Sequence, residues 1–170
     1  MFSFLQNLTY FKINQSMIIK KPSDCTKEEL ESFERLVLLG GQVDPNGLQN
    51  RIRNCKLLGF YYSDNKELIG ISAIKQKEKV SVERIKSKAK ITDNEIPTVE
   101  LGYSVTKVEF RGKGINKEIN DALLENVQDE KIYATTDNDT MRKYLIDKGF
   151  SKKGESFQGT YNENLDYFEK

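Results

Sequence analysis

The sequence contains no histidine in 170 residues and only two cysteines, Cys25 and Cys55. Histidine is the commonest metal ligand and the commonest general base, so its absence excludes a Ser-His-Asp triad and a histidine-based zinc site. We therefore expect no metal. Because the two cysteines do not form a CxxC pair, they argue against a disulfide framework and suit a reducing compartment.

Neither sign of charge dominates the sequence. Lysine and arginine number 27 against 26 aspartate and glutamate, for a formal net charge of +1. This balance produces no overall field that would recruit nucleic acid or a membrane surface. No apolar run approaches the roughly 18 residues that a membrane span requires. We therefore expect a cytoplasmic protein.

The length of the chain fits one domain with a sizeable core. We place that domain at residues 17–170 and treat residues 1–16 as an N-terminal extension. The extension contains three phenylalanines and a tyrosine. Its aromatic side chains would pack on the core or on a second subunit, so a homodimer is one expectation.

Apolar periodicity predicts, in chain order, a strand, two helices, three strands, a helix, a strand, a helix and two strands. The first helix begins at Thr26, which forms a capping box with Glu29, and ends at Gly40. The second helix is expected to have Asp44 as its cap and Pro45 in its first turn. This mixture predicts an α/β (α+β) fold, with a mixed sheet and helices on both faces.

The polar stretch 76–97 is predicted to be a long hairpin arm or a loop. With its flanks it carries seven basic residues: Lys75, Lys77, Lys79, Arg84, Lys86, Lys88 and Lys90. Such an arm, residues 75–90, could hold nucleic acid or an acidic protein. We favour a solvated hairpin, because no aromatic side chains are interleaved for base stacking.

Good alternation marks residues 98–106, "TVELGYSVT", as a strand. A period of two points its apolar side chains one way and its small and polar ones the other. The first set is Val99, Leu101, Tyr103 and Val105, and the second is Glu100, Gly102, Ser104 and Thr106.

The turn "EFRGKGIN", residues 109–116, joins this strand to an amphipathic helix. The first turn of a helix has backbone N–H groups without internal partners and attracts anions. Gly112 and Gly114 allow close backbone approach, while Arg111 and Lys113 add positive charge. The turn is not a Walker A loop, because Gly114 follows the lysine, nor a Rossmann fingerprint, whose third glycine would fall at Lys117.

Two motifs resemble those of the GNAT (Gcn5-related N-acetyltransferase) superfamily. "ELGYSVTKVEFRGKGI", residues 100–115, resembles the family's central motif without a gap, and "NDTMRKYLIDKGF", residues 138–150, resembles its second signature. The order of predicted elements also agrees. The resemblance implies the GNAT fold, with a mostly antiparallel sheet of six to seven strands that is splayed between the fourth and fifth strands.

The resemblance implies an N-acetyltransferase that moves an acetyl group from acetyl-CoA to a primary amine by direct attack. The turn would hold the pyrophosphate of CoA through the amides of Arg111, Gly112, Lys113, Gly114, Ile115 and Asn116. Val105 and Thr106 would pair with the pantetheine arm, and Asn138 would bond that arm or the neighbouring backbone. Similar small members occur in bacteria and phages, and the acceptor is unknown.

For catalysis, the resemblance favours Glu100 as a general base whose pKa would rise if the carboxyl group were buried. The usual general acid, a tyrosine, falls at Leu145. The adjacent Tyr144 is the candidate general acid in its place, although it lies about 100° around the helix. Asn116 stands where Gly or Ala is usual in the turn. Two alternatives remain open: a catalytically silent acyl-CoA-binding protein, and a nucleic-acid-associated acetyltransferase that uses the basic arm.

Overall fold

The computed structural model describes residues 17–162 and 164–170. The N-terminal extension at residues 1–16 and its predicted packing therefore lie outside the described residues. The strands are β1 (Met17–Lys20), β2 (Cys55–Tyr62), β3 (Leu68–Gln76), β4 (Val99–Thr106), β5 (Ile132–Thr136), β6 (Ser151–Phe157) and β7 (Leu165–Glu169). The helices are α1 (Lys27–Leu39), α2 (Leu48–Arg53), α3 (Lys79–Lys88), α4 (Ile115–Glu125) and α5 (Asp139–Asp147).

The seven strands form one mixed sheet in the order β1-β2-β3-β4-β5-β7-β6. Among the strands described, β4 and β5 form the parallel pair and all other neighbours are antiparallel. The predicted mixed, mostly antiparallel sheet is therefore confirmed.

The parallel pair is short. Val99 pairs with Ile132 and Glu100 with Tyr133, but β4 continues to residue 106 and β5 to residue 136. Beyond these two pairs the strands part, which confirms the predicted splay between the fourth and fifth strands. Along the gap, the facing edges of β4 and β5 do not pair with each other, so an extended ligand could pair with either edge.

Helices cover both faces of the sheet. On one face, the apolar stripe that the sequence predicts is buried beneath α4: Ile115, Ile119, Ala122, Leu123 and Val127. Leu145 of α5 joins the same core. A Cβ placed on Gly59 would lie 2.4 Å from the Ile119 side chain, so α4 rests almost directly on β2. The opposite face is covered by α1 and α2 over β2 and β3, and by α3 over β5 and β7.

The predicted cap of α1 is confirmed and that of α2 is wrong. Thr26 and Glu29 bond reciprocally, at 3.2 Å from the Glu29 amide and 2.9 Å from the Thr26 amide. In contrast, α2 begins only at Leu48, after Gly47 in a left-handed conformation with φ of 68°. Asp44 accepts a hydrogen bond from the Asn46 amide at 2.9 Å, so it closes a local turn before the helix.

The predicted hairpin arm or loop over residues 76–97 is wrong, because α3 occupies residues 79–88. Val82 and Ala89 are fully buried, and they recur at helical spacing within the basic stretch. Lys86 is 3% exposed, and its ammonium bonds the Asp93 carboxylate and the Glu95 carbonyl oxygen. The basic stretch is therefore a helix that packs on the sheet, with Lys86 buried among hydrogen-bond partners.

A β-bulge in β4 changes which side chains share a face. Between the pairs Ile71–Val105 and Ala73–Gly102, β4 has one more residue than β3, and Tyr103 has φ of 54°. An extra residue turns the following side chains to the other face. The prediction that residues 99, 101, 103 and 105 share one face is therefore wrong.

Candidate active site

The turn between β4 and α4 presents a cluster of unpaired backbone donors. Within the described residues, the amides of residues 112–117 donate to no backbone acceptor, and α4 has no side-chain cap. Gly112 and Gly114 have φ of 77° and 78°, and nothing lies within 4 Å of a Cβ placed on either. These donors lie beside open space, and clustered backbone N–H groups of this kind can bind anions.

Two basic side chains flank this turn, and both are exposed. Arg111 donates from Nε to the Thr106 carbonyl oxygen at 3.2 Å, which ties the turn to the end of β4. The Lys113 ammonium lies 5.1 Å from the centre of the Phe110 ring. Their charges add to the positive end of the α4 dipole.

The end of β4 provides a second polar feature. Among the buried side-chain oxygens and nitrogens of the described residues, Thr106 Oγ1 is without a hydrogen-bond partner. It lies on the part of β4 that β5 does not pair. A Cβ on Gly40 would lie 2.9 Å from Val105 Cγ2, so the loop after α1 covers this end of the strand. Val105 and Thr106 therefore lie at the splay, as the resemblance implies.

Asn138 caps α5. Its Oδ1 accepts from the Met141 amide at 2.9 Å, and its own amide donates to Thr136 Oγ1 at 3.0 Å. These contacts hold the start of α5 against the end of β5. The resemblance implies that Asn138 bonds either the pantetheine arm or the neighbouring backbone, and the contact with the Met141 amide is of the second kind.

Glu100 is buried at the point where the strands part, and three donors hold its carboxylate. Lys75 lies 2.8 Å from Oε1, while Lys77 and the Tyr133 hydroxyl lie 3.1 and 3.0 Å from Oε2. Burial by itself would raise the pKa of Glu100, but the two ammonium groups outweigh it and lower the pKa to about 2. The predicted rise is therefore wrong, and so weak a base is poorly matched to accepting a proton at neutral pH.

The bulge also separates Glu100 from residues predicted to share its face. Glu100 reaches Tyr133, on the face that α3 covers, whereas Ser104 reaches Asn120 of α4 on the other face. The predicted common face of Glu100 and Ser104 is wrong for the same reason, the extra residue at Tyr103.

Tyr144 has its hydroxyl directed at α4. It donates to Asp121 Oδ1 at 2.9 Å, and Lys148 pairs with the same oxygen at 2.7 Å. Burial and the Asp121 carboxylate both raise the pKa of Tyr144. Leu145 is fully buried in the core. The geometry thus gives Tyr144 a structural contact and provides no support for its predicted role as general acid.

Most cations of the basic arm are in ion pairs. Ion pairs within the described residues engage five of its seven cations: Lys75 and Lys77 with Glu100, Lys79 with Glu83, Lys86 with Asp93, and Lys90 with Glu155. A patch that binds phosphates needs cations that face solvent and are free to replace counterions. Lys75, Lys77 and Lys86 are thus held by carboxylates inside the fold, whereas Lys79 and Lys90 are paired at the surface and remain exposed.

Sequence reasoning did not identify Ser72, Asn120 or Tyr133, although all three are fully buried. Asn120 had a visible signal, since it interrupts the apolar stripe of α4 directly after Ile119. Ser72 and Tyr133 had none, because their partners are on other strands and helices.

No family model matches the chain, and no curated protein matches its sequence. Solved structures do match. An acyl-CoA N-acyltransferase from Pseudomonas aeruginosa has a TM-score of 0.65 at 15% identity, over 91% of this chain and 97% of that one. A ribosomal-protein-alanine N-acetyltransferase from Brucella melitensis scores 0.62 at 15% identity, over 90% and 98%. Arabidopsis thaliana NAA60, in complex with a bisubstrate analogue, scores 0.62 at 13% identity, over 91% and 95%.

The class that these observations define is the fold of the acyl-CoA N-acyltransferases. A GNAT-family acetyltransferase from Streptococcus agalactiae also matches, with a TM-score of 0.63 at 16% identity over 92% of this chain and 95% of that one. The chain therefore has the GNAT fold, as its two motifs predict. No helix in the described part of the chain is both long and apolar enough to cross a bilayer.

Proposed function

We propose that this protein is an N-acetyltransferase that moves an acetyl group from acetyl-CoA to a primary amine within a ternary complex. The observation that carries the proposal is the uncapped, donor-rich turn at residues 112–117, joined by Arg111 to the end of β4 at the splay. The structural neighbours support acyl transfer as the reaction class. The acceptor could be a metabolite, an antibiotic, an aminoacyl-tRNA or a protein amine.

The residues present fit an acyl-CoA. Within the described residues, the six amides of residues 112–117 have no backbone acceptor, and neither glycine of the turn has a Cβ, which suits a pyrophosphate. Val105 and Thr106 offer an unpaired strand edge for the amide groups of the pantetheine arm, and Thr106 Oγ1 is a buried hydroxyl in need of a partner. We assign the amides of residues 112–116 and the Arg111 guanidinium to the pyrophosphate, and Val105 and Thr106 to the arm; the Arg111 amide itself donates to the Val108 carbonyl oxygen at 3.3 Å.

Acetyl-CoA, when bound, supplies a thioester carbonyl carbon that an amine can attack. The contribution of this chain is alignment, together with backbone N–H donors at the unpaired edge of β4 near Thr106 that stabilise developing negative charge. Glu100 stays ionised and paired, so we assign both proton transfers to solvent water: one from the attacking amine, and one to the CoA thiolate that leaves as the C–S bond breaks. This division requires no histidine.

A second candidate is an acyl-CoA-binding protein without turnover. It is favoured by the state of the expected acid–base groups: Leu145 is buried in the core, the Tyr144 hydroxyl is bonded to Asp121, and Glu100 is held by two lysines. The two candidates share the CoA site and differ only in chemistry.

One experiment separates them. Acetyl-CoA binding is measured by calorimetry, and release of free CoA thiol is followed over a panel of amines that includes amino acids, polyamines, aminoglycosides, aminoacyl-tRNA and peptides. We expect binding and amine-dependent thiol release. Binding without release over the whole panel would favour the silent protein, and no binding would remove both candidates.

A further inference from the structure

A chain of hydrogen bonds crosses the interior from the turn to the β4 bulge. Asn120 Nδ2 lies 2.8 Å from Asn116 Oδ1, and Ser104 Oγ lies 3.3 Å from Asn120 Oδ1. Ser104 uses its one proton on Asn120, so the Ser72 hydroxyl donates either to Ser104 Oγ, 2.7 Å away, or to the Gly102 carbonyl oxygen, 3.2 Å away. These contacts connect the glycine turn, at Asn116, with the β4 bulge, at Ser104.

The middle of this chain is completely buried. Ser72 and Asn120 are each 0% exposed, and they lie against the apolar core between α4 and the sheet. Burying an amide and a hydroxyl is costly unless every group finds a partner. Here both ends of the Asn120 amide have partners: Oδ1 accepts from Ser104, and Nδ2 donates to Asn116 and lies 4.0 Å from Met141 Sδ. A satisfied buried network of this kind holds its members in one geometry.

At the turn, the chain decides how Asn116 is oriented. Because Asn116 Oδ1 accepts from Asn120 in the interior, its Nδ2 is left as the outer end of the amide. Asn116 is in the first turn of α4, among the free amides of residues 112–117. Its side chain therefore adds an N–H donor to that group and does not direct a carbonyl oxygen at an anion.

At the other end, the chain reaches the bulge. Gly102 directly precedes Tyr103, whose φ of 54° marks the extra residue, and β4 is unpaired by β5 from there onward. Ser104 directly follows Tyr103, so its hydrogen bond to Asn120 restrains the strand at the extra residue. The backbone donors that follow along β4 are positioned by the same restraint.

We propose that Asn116 Nδ2 is an additional donor to the CoA diphosphate, and that Ser72, Ser104 and Asn120 are positioning residues that keep the β4 bulge aligned with the phosphate turn. This inference rests on the proposed function, since it needs a CoA nucleotide in the turn. Asn116 then replaces the usual Gly or Ala of the motif with a donor whose direction Asn120 sets.

The donor role is tested by calorimetry with adenosine 3′-phosphate 5′-diphosphate, the nucleotide part of CoA. Asn116→Ala should weaken its binding by about 3- to 10-fold, the worth of one hydrogen bond. Asn116→Asp keeps an oxygen for Asn120 but turns a carboxylate outward, so it should weaken binding further. Affinity unchanged in Asn116→Ala, or equal in the two variants, would overturn the donor role.

The positioning role is tested by amide NMR on titration with the same nucleotide, which has no pantetheine arm. In the wild type we expect shifts at residues 112–117 and also at Tyr103, Ser104 and Val105. Asn120→Leu should keep the first set and lose the second. Asn126→Leu is the matched control, since Asn126 caps the end of the same helix and, within the described residues, its side chain donates to the Ala122 carbonyl oxygen at 2.7 Å.

The outcomes of the NMR experiment are distinct. Shifts at the bulge that persist in Asn120→Leu would overturn the positioning role while the proposed function stands. No shift at the turn of the wild type would remove the proposed function and this inference with it. If Asn120→Leu does not fold, Ser104→Ala removes the link between Asn120 and the bulge with a smaller change and is read in the same way.

Discussion

Glu100 and Tyr133 form the last backbone pair of β4 and β5 before the two strands part, and their side chains are bonded to each other. The Tyr133 hydroxyl donates to Glu100 Oε2 at 3.0 Å. Lys75 and Lys77 complete the carboxylate's shell from the neighbouring strand and the segment that follows it. The start of the splay is thus held by an ionic cluster, and the residue that the resemblance favours as a base stabilises the fold.

Replacement of Glu100 should therefore reduce stability. Glu100→Gln leaves two lysine ammonium groups beside a neutral partner, so we expect a loss of about 3 kcal/mol in the free energy of unfolding. Chemical denaturation measures it. Glu109→Gln, an exposed glutamate for which the described residues contain no ion pair, should change stability little. An unchanged denaturation midpoint in Glu100→Gln would contradict the structural role.

The same group sets a pH dependence. The pKa of Glu100 falls from an ordinary 4.5 to about 2 on folding, so its contribution is fully present above pH 4.5 and is lost as the pH falls towards 2. We expect the wild type to lose stability steeply over this window. Glu100→Gln should show a shallower loss in the same denaturation series, and parallel curves would count against the assigned pKa.

Thr106→Val should act in opposite directions on stability and binding. Removing a buried hydroxyl without a partner should raise the stability of the free protein by about 1 kcal/mol. The loss of a hydrogen-bonding group at the splay should weaken acetyl-CoA binding by about 3- to 10-fold. Thermal unfolding and calorimetry measure the two effects, with the exposed Thr140→Val as control. Unchanged affinity would remove Thr106 from the site.

Gly114→Ala and Gly41→Ala form a matched pair. Both glycines have positive φ, 78° and 70°, and nothing lies within 4 Å of an added methyl group. The left-handed conformation alone should therefore make each substitution cost about 1 kcal/mol of stability. Only Gly114 belongs to the turn. We expect its variant to lose about 10-fold or more in acetyl-CoA affinity, while Gly41→Ala binds as the wild type does. Equal affinities would indicate that the anion lies elsewhere.

Tyr144→Phe tests the general-acid hypothesis directly. Because the hydroxyl is bonded to Asp121, we expect the variant to lose about 1 kcal/mol of stability and to keep the wild-type rate of thiol release. Tyr161→Phe, an exposed tyrosine, controls for the loss of a phenol. A fall of about 100-fold in kcat would show that Tyr144 provides the proton after all.

Much of the fold was readable in the sequence because its signals are local. The capping box of Thr26 and Glu29, the apolar stripe of α4 and the glycine turn each depend on residues a few positions apart. Helical and strand periodicity therefore predicted most elements and their order. The prediction for residues 76–97 was wrong because one of the buried positions of α3 is a charged residue, Lys86, which hides the apolar period.

The sequence by itself determined the order of elements and a basic glycine turn ready to hold an anion, since both follow from backbone sterics and short-range periodicity. Only the tertiary structure decided the face exchange at Tyr103, the low pKa of Glu100 and the buried links from Asn116 through Asn120 to Ser104. A bulge is defined by register against another strand, and a pKa by the charges that folding brings near. Those partners are distant in the chain, so no local pattern contains them.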